Sequence, residues 1–255
     1  THNNLAIIQA DIREIDKIPM DGIDTVIHLA NIANDPTGDL NSKLTWEVNV
    51  LASKLLIEKA IKNGVEQFIY ASSGSVYGVK DELDVIEDLP LVPISDYNKT
   101  KMISERVLMS YQDKLTLQII RPATVCGYSP RMRLDLSVSM LTMQALTNGV
   151  ITVFGGKQIR PNIHMNDMIG VYLHFLELGA KAPGIYNAGF QNISILDIAK
   201  KVTNHIPAEI KITESDDPRS YRQNSNKLIN SGFSPQYGVD NGIKDIIKMY
   251  NAGTV

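Results

Sequence analysis

The chain has 255 residues, of which 44% are apolar and 21% charged, so it is long enough and apolar enough to bury a sizeable core. Its formal net charge is -3, and proteins that bind nucleic acid or anionic membranes are more often basic, so we expect neither partner. Cys126 is the only cysteine, which excludes an internal disulfide framework and a cysteine-based zinc site, and we expect no metal.

The chain begins Thr-His-Asn-Asn, with no signal-peptide pattern after it. No apolar run reaches the roughly 18 residues of a membrane-spanning helix. We therefore expect a cytoplasmic protein.

In chain order, the first half alternates short apolar runs with longer amphipathic ones. The short runs predict buried strands at residues 5–9, 25–30, 67–71 and 115–120. The longer runs predict helices at residues 41–63 and 95–112, the first of them ended by Gly64. This alternation indicates an α/β fold with a parallel, doubly wound sheet.

The second half is more irregular, because glycine and proline interrupt it repeatedly after Pro122. A helix is predicted at 195–206, a strand at 209–213 and a helix at 241–252. We predict a division near residue 124, with residues 1–124 in one domain. Residues 125–255 then form mainly a smaller α/β substrate-binding region, some segments of which return to the first domain.

Several chemically useful side chains follow the predicted strands. Ligands of doubly wound sheets bind beyond the carboxyl ends of the strands. The residues at or just after these ends are Asp11, Ala30, Ser72, Ser73 and Arg121. We expect them to lie near one another at one edge of the sheet.

Tyr97 is the one tyrosine among ten that is followed by a lysine four residues later, Lys101. Residues at this spacing share one face of a helix. A nearby ammonium favours the phenolate form of tyrosine, which can then accept a proton from a substrate hydroxyl. Taken alone, the pair is more typical of an ordinary surface helix.

Residues 70–78 read Tyr-Ala-Ser-Ser-Gly-Ser-Val-Tyr-Gly and place two small hydroxyls after a predicted strand. The hydroxyls of Ser72 and Ser73 can bond a reacting oxygen or a proton in transit. A plain turn is the alternative, because serine and glycine are common turn residues.

Taken together, these motifs resemble the extended short-chain dehydrogenases/reductases of the NAD-dependent epimerase/dehydratase family. The order and spacing of the motifs match over nearly the whole chain. The resemblance is carried by Asp11-Ile12-Arg13, His28-Leu29-Ala30, Asn49-Val50, Ser72-Ser73-Gly74-Ser75-Val76-Tyr77-Gly78, Tyr97-Asn98-Lys99-Thr100-Lys101, Arg121-Pro122-Ala123, Arg160-Pro161-Asn162-Ile163-His164 with Asp167, Tyr186-Asn187-Ala188-Gly189 and Arg219-Ser220-Tyr221.

The resemblance implies that residues 1–124 form a partial dinucleotide-binding domain with a Rossmann-like fold. It implies a catalytic set of Ser73, Tyr97 and Lys101, in which Tyr97 is the acid/base on the sugar C4 hydroxyl and Lys101 holds the nicotinamide ribose. NAD is the expected cofactor, and NADP is not excluded. The residues expected at the cofactor are Asp11, Ile12, Leu29, Ala30, Asn49, Ala71, Ser72, Tyr97, Lys101 and Pro122.

For the substrate, the resemblance implies a nucleotide-diphosphate sugar. Arginine binds phosphate oxygens in pairs, so Arg160 and Arg219 are expected to clamp the diphosphate, with a surface salt bridge as the alternative for each. Ser73, Ser75 and Thr124 are the other expected substrate contacts. His164 and Cys126 are expected to have structural roles only.

The chain departs from the family at its start, where the glycine-rich phosphate loop, its helix and the next strand are absent. We therefore expect a truncated or partly resolved form of a longer protein. If the chain does begin at Thr1, we expect little dinucleotide binding and poor stability.

A second departure concerns the reaction. The 4,6-dehydratases of the family usually carry an Asp-Glu pair where this chain has Gly74 and Ser75, and a 3,5-epimerase would carry a cysteine in the same loop. Thr124 and Ser139 also replace asparagines that are common near the nucleotide. We therefore favour C4 redox chemistry over dehydration and leave the base, the sugar and NADP use open.

The leading function is a nucleotide-sugar 4-epimerase acting through a transient 4-keto sugar. The close alternative is a 4-dehydrogenase or 4-ketoreductase with the same residues. A 4,6-dehydratase and a non-catalytic NAD(P)-sensing protein are the less favoured alternatives. The resemblance also implies a homodimer through helices 41–63 and 95–112, although amphipathic helices can also simply cover a sheet.

Overall fold

The computed structural model describes residues 4–215 and 220–253, which divide into two compact units. The first unit runs to residue 72 and includes residues 93–119 and 178–184. The second contains residues 73–92 and 120–177 and the chain from 185 onwards. Segments of the two units therefore alternate along the sequence, whereas the predicted division at residue 124 separates consecutive halves. Residue 124 as a domain boundary stays a prediction.

The first unit consists of parallel strands and the helices that connect them. Its elements are β1 (Thr25–His28), α1 (Asp35–Leu40), α2 (Ser42–Trp46), a π-helical turn (Glu47–Leu51), α3 (Ala52–Lys62), β2 (Gln67–Ala71), α4 (Asp96–Met109) and the first residues of β3 (Thr116–Pro122). The strands β1, β2 and β3 are neighbours in that order, and β1 runs parallel to β2 from Thr25 opposite Gln67 to His28 opposite Tyr70.

Five predicted elements that lie wholly or partly in this unit are confirmed, namely the strands at 25–30, 67–71 and 115–120 and the helices at 41–63 and 95–112. The strand β2 is buried at Phe68 and Ile69, as a strand covered on both faces should be. Gly64 has φ +77 after α3, a conformation that favours glycine and ends the helix where the sequence predicts. The strand predicted at residues 5–9 is wrong, because this segment pairs with no strand among the described residues and its apolar side chains are exposed.

The second unit contains two small sheets and most of the remaining helices. Its elements are β4 (Thr124–Cys126), α5 (Ser137–Asn148), β5 (Val150–Phe154), β6 (Ile159–His164), α6 (Met165–Leu178), β7 (Gly184–Ala188), β8 (Gln191–Ser194), α7 (Ile195–Thr203), β9 (Glu209–Thr213), α8 (Asn226–Asn230) and α9 (Val239–Asn251). One sheet has the order β4-β6-β8, with β6 and β8 antiparallel, and β5 pairs in parallel with β9.

A buried apolar core holds this unit together where α5, α7 and α9 pack around β5. Fully buried members include Leu141, Ile151, Ile198 and Ile243. The predicted elements at 195–206, 209–213 and 241–252 are confirmed as α7, β9 and α9. Among the residues described, no helix combines the length and apolarity that crossing a bilayer would take.

Candidate active site

Tyr97 and Lys101 lie on the first two turns of α4. The helix begins after Ser95, whose hydroxyl oxygen accepts a hydrogen bond from the Asn98 backbone N–H at 3.2 Å and so satisfies a group left unpaired at the helix start. The Lys101 ammonium lies 6.0 Å from the centre of the Tyr97 ring. The two side chains therefore share one helix face, as their spacing predicts.

The packing of α1 fixes the start of α4. A Cβ atom on Gly38 would lie only 3.3 Å from the Tyr97 Cβ, so α1 approaches the tyrosine as closely as the absence of a side chain allows. Ser95 also donates a short hydrogen bond to the Asp35 carboxylate at the start of α1. These two contacts between α1 and α4, at Gly38 and at Asp35, hold the Tyr97 backbone in place.

Lys101 is almost completely buried, with 3% of its surface exposed. Its ammonium donates a hydrogen bond to the Ala71 carbonyl at 2.6 Å and lies 4.9 Å from the centre of the Tyr70 ring. Burial lowers the pKa of Lys101 to about 7, against the opposing effect of the Glu105 charge. Its charge state is therefore sensitive to its neighbours at neutral pH.

Apart from Glu105, the polar groups around Lys101 include an uncharged histidine and an uncharged phenol. Burial, and then the charge of Lys101, lowers the pKa of His28 to about 3, and burial raises the pKa of Tyr70 above its ordinary value. The Ser53 hydroxyl donates to the Asn49 carbonyl at 2.6 Å and therefore accepts from His28 Nε2 at 2.8 Å. Charges placed in such surroundings interact more strongly than they would in water.

Asn49 lies in the π-helical turn between α2 and α3 and is fully buried. Its side chain accepts from the Ile32 N–H at 2.8 Å and donates to the Ile32 carbonyl at 3.0 Å and to the Thr100 hydroxyl at 3.0 Å. It therefore joins the loop after β1 to the helix that carries Tyr97 and Lys101. Such turns occur often at functional sites.

The carboxyl end of β2 contributes Ala71 and Ser72. The Ala71 carbonyl accepts from Lys101, and the buried Ser72 hydroxyl donates a short hydrogen bond to Glu105, a residue that the sequence analysis missed. Glu105 lies four residues after Lys101, just as Lys101 lies four residues after Tyr97. The same spacing therefore places all three residues on one face of α4. The expected contact of Ser72 with the cofactor stays a prediction.

Asp11 and Ile12 lie in the segment before β1, and Leu29 and Ala30 follow that strand. The Asp11 carboxylate accepts from Arg13 Nη2 at 2.7 Å and from the Arg13 backbone N–H at 2.9 Å, and this pairing lowers its pKa to about 2. Leu29 is 57% exposed. Their expected contacts with the cofactor stay predictions.

Ser73 and Ser75 lie at a short 3-10 turn, Gly74–Tyr77, in the second unit. Ser73 precedes the turn and accepts from the Ser75 N–H at 3.2 Å, and the two hydroxyl oxygens are 2.7 Å apart. One hydroxyl of the pair donates to the other, which leaves the second proton of the pair for another acceptor. The structure thus brings together two of the expected substrate-binding residues.

Gly74 has no room for a larger side chain. A Cβ atom here would lie 3.0 Å from the Tyr221 hydroxyl, 3.1 Å from the Pro122 carbonyl and 3.3 Å from Gln223 Nε2. All three neighbours are polar groups that an added carbon cannot bond. The acidic side chain of a 4,6-dehydratase is therefore not only missing at this position but would also be crowded there.

A buried hydrogen-bond network supports the 3-10 turn from below. Arg121 donates to the Tyr77 hydroxyl at 2.7 Å, Tyr77 donates to Asn187 Oδ1 at 2.8 Å, and Gln223 Nε2 donates to the same oxygen at 3.0 Å. Glu87 accepts from the Asn187 N–H at 2.8 Å. Gln223 and Glu87 were not predicted from the sequence, because neither belongs to a recognisable motif and Gln223 lies far along the chain from Tyr77.

The remaining candidates are spread over the second unit. Pro122 ends β3, and Thr124 begins β4, where it is paired in register with Asn162. Arg160 lies on β6, where one guanidinium nitrogen donates to its neighbour's carbonyl at 3.3 Å. Arg219 lies outside the described residues. The diphosphate contacts expected for Arg160 and Arg219 stay predictions.

His164 and Cys126 are built into the packing of α9. His164 Nδ1 accepts from the Asn166 N–H, its Nε2 donates to Asp245 at 3.0 Å, and its ring stacks on Tyr237. Burial raises the pKa of the Cys126 thiol to about 12, which keeps it protonated. Within residues 4–215 and 220–253, no group of three or more His, Cys, Asp or Glu side chains is placed to hold a metal ion.

The sequence profile of the NAD dependent epimerase/dehydratase family matches residues 1–189, which is most of the 255-residue chain. The chain belongs to this family. Its members are enzymes that use NAD, and the α/β fold with parallel strands is that of the family. The extended short-chain dehydrogenase/reductase resemblance is thereby confirmed, together with NAD as the cofactor.

Relatives within the family carry out different reactions. The UDP-glucose 4-epimerase of Halalkalibacterium halodurans is 27% identical over 84% of this chain and 72% of its own length. The dTDP-D-glucose 4,6-dehydratase of Mus musculus is 25% identical over 97% of this chain and 74% of its own length. The solved structure of the UDP-glucuronic acid 4-epimerase from Bacillus cereus, in complex with UDP-glucuronic acid and NAD, is 26% identical, with a TM-score of 0.79 over 95% of this chain and 79% of that one.

The first unit contains polar groups that fit part of a dinucleotide. Lys101 has three N–H donors, of which one bonds Ala71, so donors remain for ribose hydroxyls. In the loop after β1, the Asn31 side-chain oxygen is buried and makes no hydrogen bond. Buried polar atoms normally have partners, so both groups fit a polar ligand at the carboxyl ends of β1 and β2.

Proposed function

We propose that this chain belongs to a nucleotide-sugar 4-epimerase that uses NAD. The observation that carries the proposal is the buried ammonium of Lys101 on the same face of α4 as Tyr97. A positive charge in a site of low polarity favours the phenolate of a neighbouring tyrosine far more than one in water would. The support from relatives is the 27% identity to a UDP-glucose 4-epimerase.

In this proposal the side chains of the chain hold the sugar and move one proton. Tyr97 accepts the proton of the C4 hydroxyl as the C4–O bond becomes a carbonyl, and it returns that proton when the carbonyl is reduced. Lys101 supports the phenolate through its charge and binds ribose hydroxyls. Bound NAD supplies the hydride acceptor and donor for C4. Ser73, as third member of the catalytic set, stays a prediction.

Dehydration is the reaction of other relatives, but Gly74 does not favour it. The position has no acid, and a Cβ atom there would lie 3.0 Å from the Tyr221 hydroxyl, so an acidic side chain would have to displace its neighbours. Reactions confined to C4 need no further acid beyond the tyrosine. A 4-dehydrogenase or 4-ketoreductase uses the same residues and is the second candidate.

The test is conversion of a panel of UDP- and dTDP-sugars by the full-length protein, with and without added NAD(P)H. We expect a 4-epimer to form without stoichiometric consumption of cofactor. A stoichiometric requirement for NAD(P)+ or NAD(P)H would identify a dehydrogenase or reductase instead. Loss of water from the sugar would contradict both.

Tyr97→Phe tests the assigned base, with an expected loss of at least about 100-fold in kcat. Tyr111→Phe is the matched control, because its hydroxyl bonds Glu58 at 2.7 Å near the far end of the same helix. Unchanged conversion by Tyr97→Phe would overturn the mechanism, whereas a native protein that binds NAD but converts no nucleotide sugar would favour the non-catalytic sensing protein. The homodimer and the cytoplasmic location stay predictions.

A further inference from the structure

The inference concerns Glu105, a buried carboxylate on α4 that the proposed mechanism does not use. Only 1% of its surface is exposed. Glutamate is rarely fully buried unless it is paired, because burial of a charge is costly. A buried acid next to a catalytic lysine therefore calls for a reason.

The first part of that reason is the position of Glu105 relative to Lys101. The two residues are four apart on α4, so their side chains leave the same helix face about one turn from each other. The charge of Glu105 opposes the effect of burial on Lys101. At such a spacing in a site of low polarity, this attraction is only weakly screened by water or salt.

The second part is the hydrogen bond from Ser72. The Glu105 carboxylate holds the Ser72 hydroxyl, and Ser72 directly follows Ala71, whose carbonyl accepts from the Lys101 ammonium. The bond between Glu105 and Ser72 therefore fixes the end of β2 beside α4, where the Ala71 carbonyl can accept from the Lys101 ammonium. One side chain thus acts on Lys101 both through space and through the strand.

The other groups that face Lys101 cannot supply this negative charge. His28 comes from β1 and is uncharged at neutral pH, since its pKa is about 3. Tyr70 comes from β2 and remains a neutral phenol, because burial raises its pKa. Asn49 and Ser53, from the helical segment opposite, carry no charge. Tyr97, on α4 itself, is the residue whose phenolate the ammonium stabilises in the proposed mechanism.

We propose that Glu105 is a positioning residue for Lys101, whose carboxylate keeps the buried lysine an ammonium ion and holds the strand end that accepts its hydrogen bond. The role of Lys101 in catalysis rests on the proposed function, but its ionisation does not. The two can therefore fail separately.

The test is an NMR titration of the full-length protein with 13C-labelled lysine, in which the Lys101 ε-carbon signal is assigned by its loss in Lys101→Arg. Glu105→Gln removes the charge but keeps an oxygen for Ser72. We expect the Lys101 midpoint to fall by at least about one pH unit. In Glu105→Asp, which restores the charge, most of the fall should be recovered.

The matched control is Glu58→Gln. Lys54 and Glu58 have the same i, i+4 spacing on α3, with 2.7 Å between ammonium and carboxylate, but both side chains are about 40% exposed. Loss of Glu58 should leave the Lys101 midpoint unchanged. Ser72→Ala keeps the charge and removes the hydrogen bond, so kcat should fall several-fold while the KM for the sugar changes little.

Two results would overturn the inference. One is a folded Glu105→Gln protein whose Lys101 midpoint equals that of the native protein. The other needs no variant: a native midpoint below about 6, the value of lysines buried without a counter-charge, would show that Glu105 does not keep the ammonium charged. If the native protein converts no nucleotide sugar but the midpoints shift as expected, the proposed function fails and this inference stands.

Discussion

At the scale of single residues, the first unit keeps a lysine in a place where lysines are seldom found. The Lys101 ammonium bonds the Ala71 carbonyl, lies beside the rings of Tyr70 and Tyr97, and has almost no contact with solvent. Such a site strengthens every interaction of the ammonium, and it also makes the charged form expensive. The chain therefore gives up stability at Lys101, which is typical of residues arranged for chemistry.

The pKa of Lys101 predicts how stability depends on pH. Its folded-state pKa of about 7 lies below the roughly 10.4 of lysine in an unfolded chain. Between these values the unfolded state binds more protons, so the contribution of Lys101 to the free energy of unfolding rises with pH, by up to about 1.4 kcal/mol per unit. Below pH 6, where both states are protonated, that contribution is constant.

Urea unfolding of the native protein and of Lys101→Met at pH 5.5, 7, 8.5 and 9.5 measures this effect. The native protein should gain stability relative to the variant above pH 7. Lys54→Met, which removes an exposed lysine, should show no such gain. A difference between native protein and Lys101→Met that is flat from pH 5.5 to 9.5 would contradict the burial of an ionisable Lys101.

Gly74 predicts a steric effect in the second unit. Gly74→Ala places a carbon about 3 Å from the Tyr221 hydroxyl and the Pro122 carbonyl. Overpacking of this kind costs about 1–3 kcal/mol, so the thermal midpoint should fall by several degrees. Thermal unfolding followed by circular dichroism checks this, and an unchanged midpoint would show that the turn adjusts freely.

At the scale of elements, the start of α4 is where local structure and chemistry meet. Tyr97 lies two residues after Ser95, in a turn whose first N–H groups have no partner within the helix. The Ser95 cap and the close approach of Gly38 together define where the helix begins. Because Tyr97 is the second residue of α4, unwinding of this first turn would remove it from the helix face that it shares with Lys101.

Ser95→Ala tests this, and α7 offers a matched control. Ser194 caps α7 in the second unit in the same way, accepting from the Asp197 N–H at 3.1 Å. Each alanine variant should lose about 1 kcal/mol of stability. We expect only Ser95→Ala to lower kcat, by about 10-fold, because only its helix carries Tyr97. Equal activity of the two variants would contradict this role of the cap.

The sequence predicts some of these elements well and misses others. The strands β1 and β2 and the helices α3 and α4 have a clear period and clear boundaries, including Gly64. The helices α5 and α6 are not predicted from the sequence. Their apolar residues cover more than one helix face, and α6 carries a glycine within it, so the pattern is less regular than in α4.

The candidate site shows the same limits. The spacing of Tyr97 and Lys101 reveals a shared helix face, but not that the lysine is buried or that Tyr70 lies beside it. Burial depends on strands far along the chain. Glu105 was within reach of the same spacing argument and was missed because an i+4 acid on a helix normally indicates a surface ion pair.

At the scale of the whole molecule, the expected homodimer rests on the first unit's helices. Trp46 and Leu51, in the segment that runs from α2 to α3, are 37% and 52% exposed. If that surface forms a dimer interface, a charge at Leu51 should prevent association. Leu173 on α6 is 54% exposed and supplies a control outside the expected interface.

Sedimentation velocity of the full-length protein should give a dimer for the native chain and for Leu173→Glu, and a monomer for Leu51→Glu. A native monomer would show that the helices only cover the sheet. A dimer that persists in Leu51→Glu but not in Leu173→Glu would place the interface elsewhere.

The π-helical turn at Glu47–Leu51 has one more consequence. It closes with a hydrogen bond from the Ala52 N–H back to the Glu47 carbonyl, which spans one residue more than an α-helical bond. The Asn49 carbonyl accepts from the Ser53 and Ser104 hydroxyls. The position of Asn49 thus depends on the number of residues in this segment as well as on their identity. In a library of variants, removal of a single codon here should be as damaging as replacement of Asn49 itself.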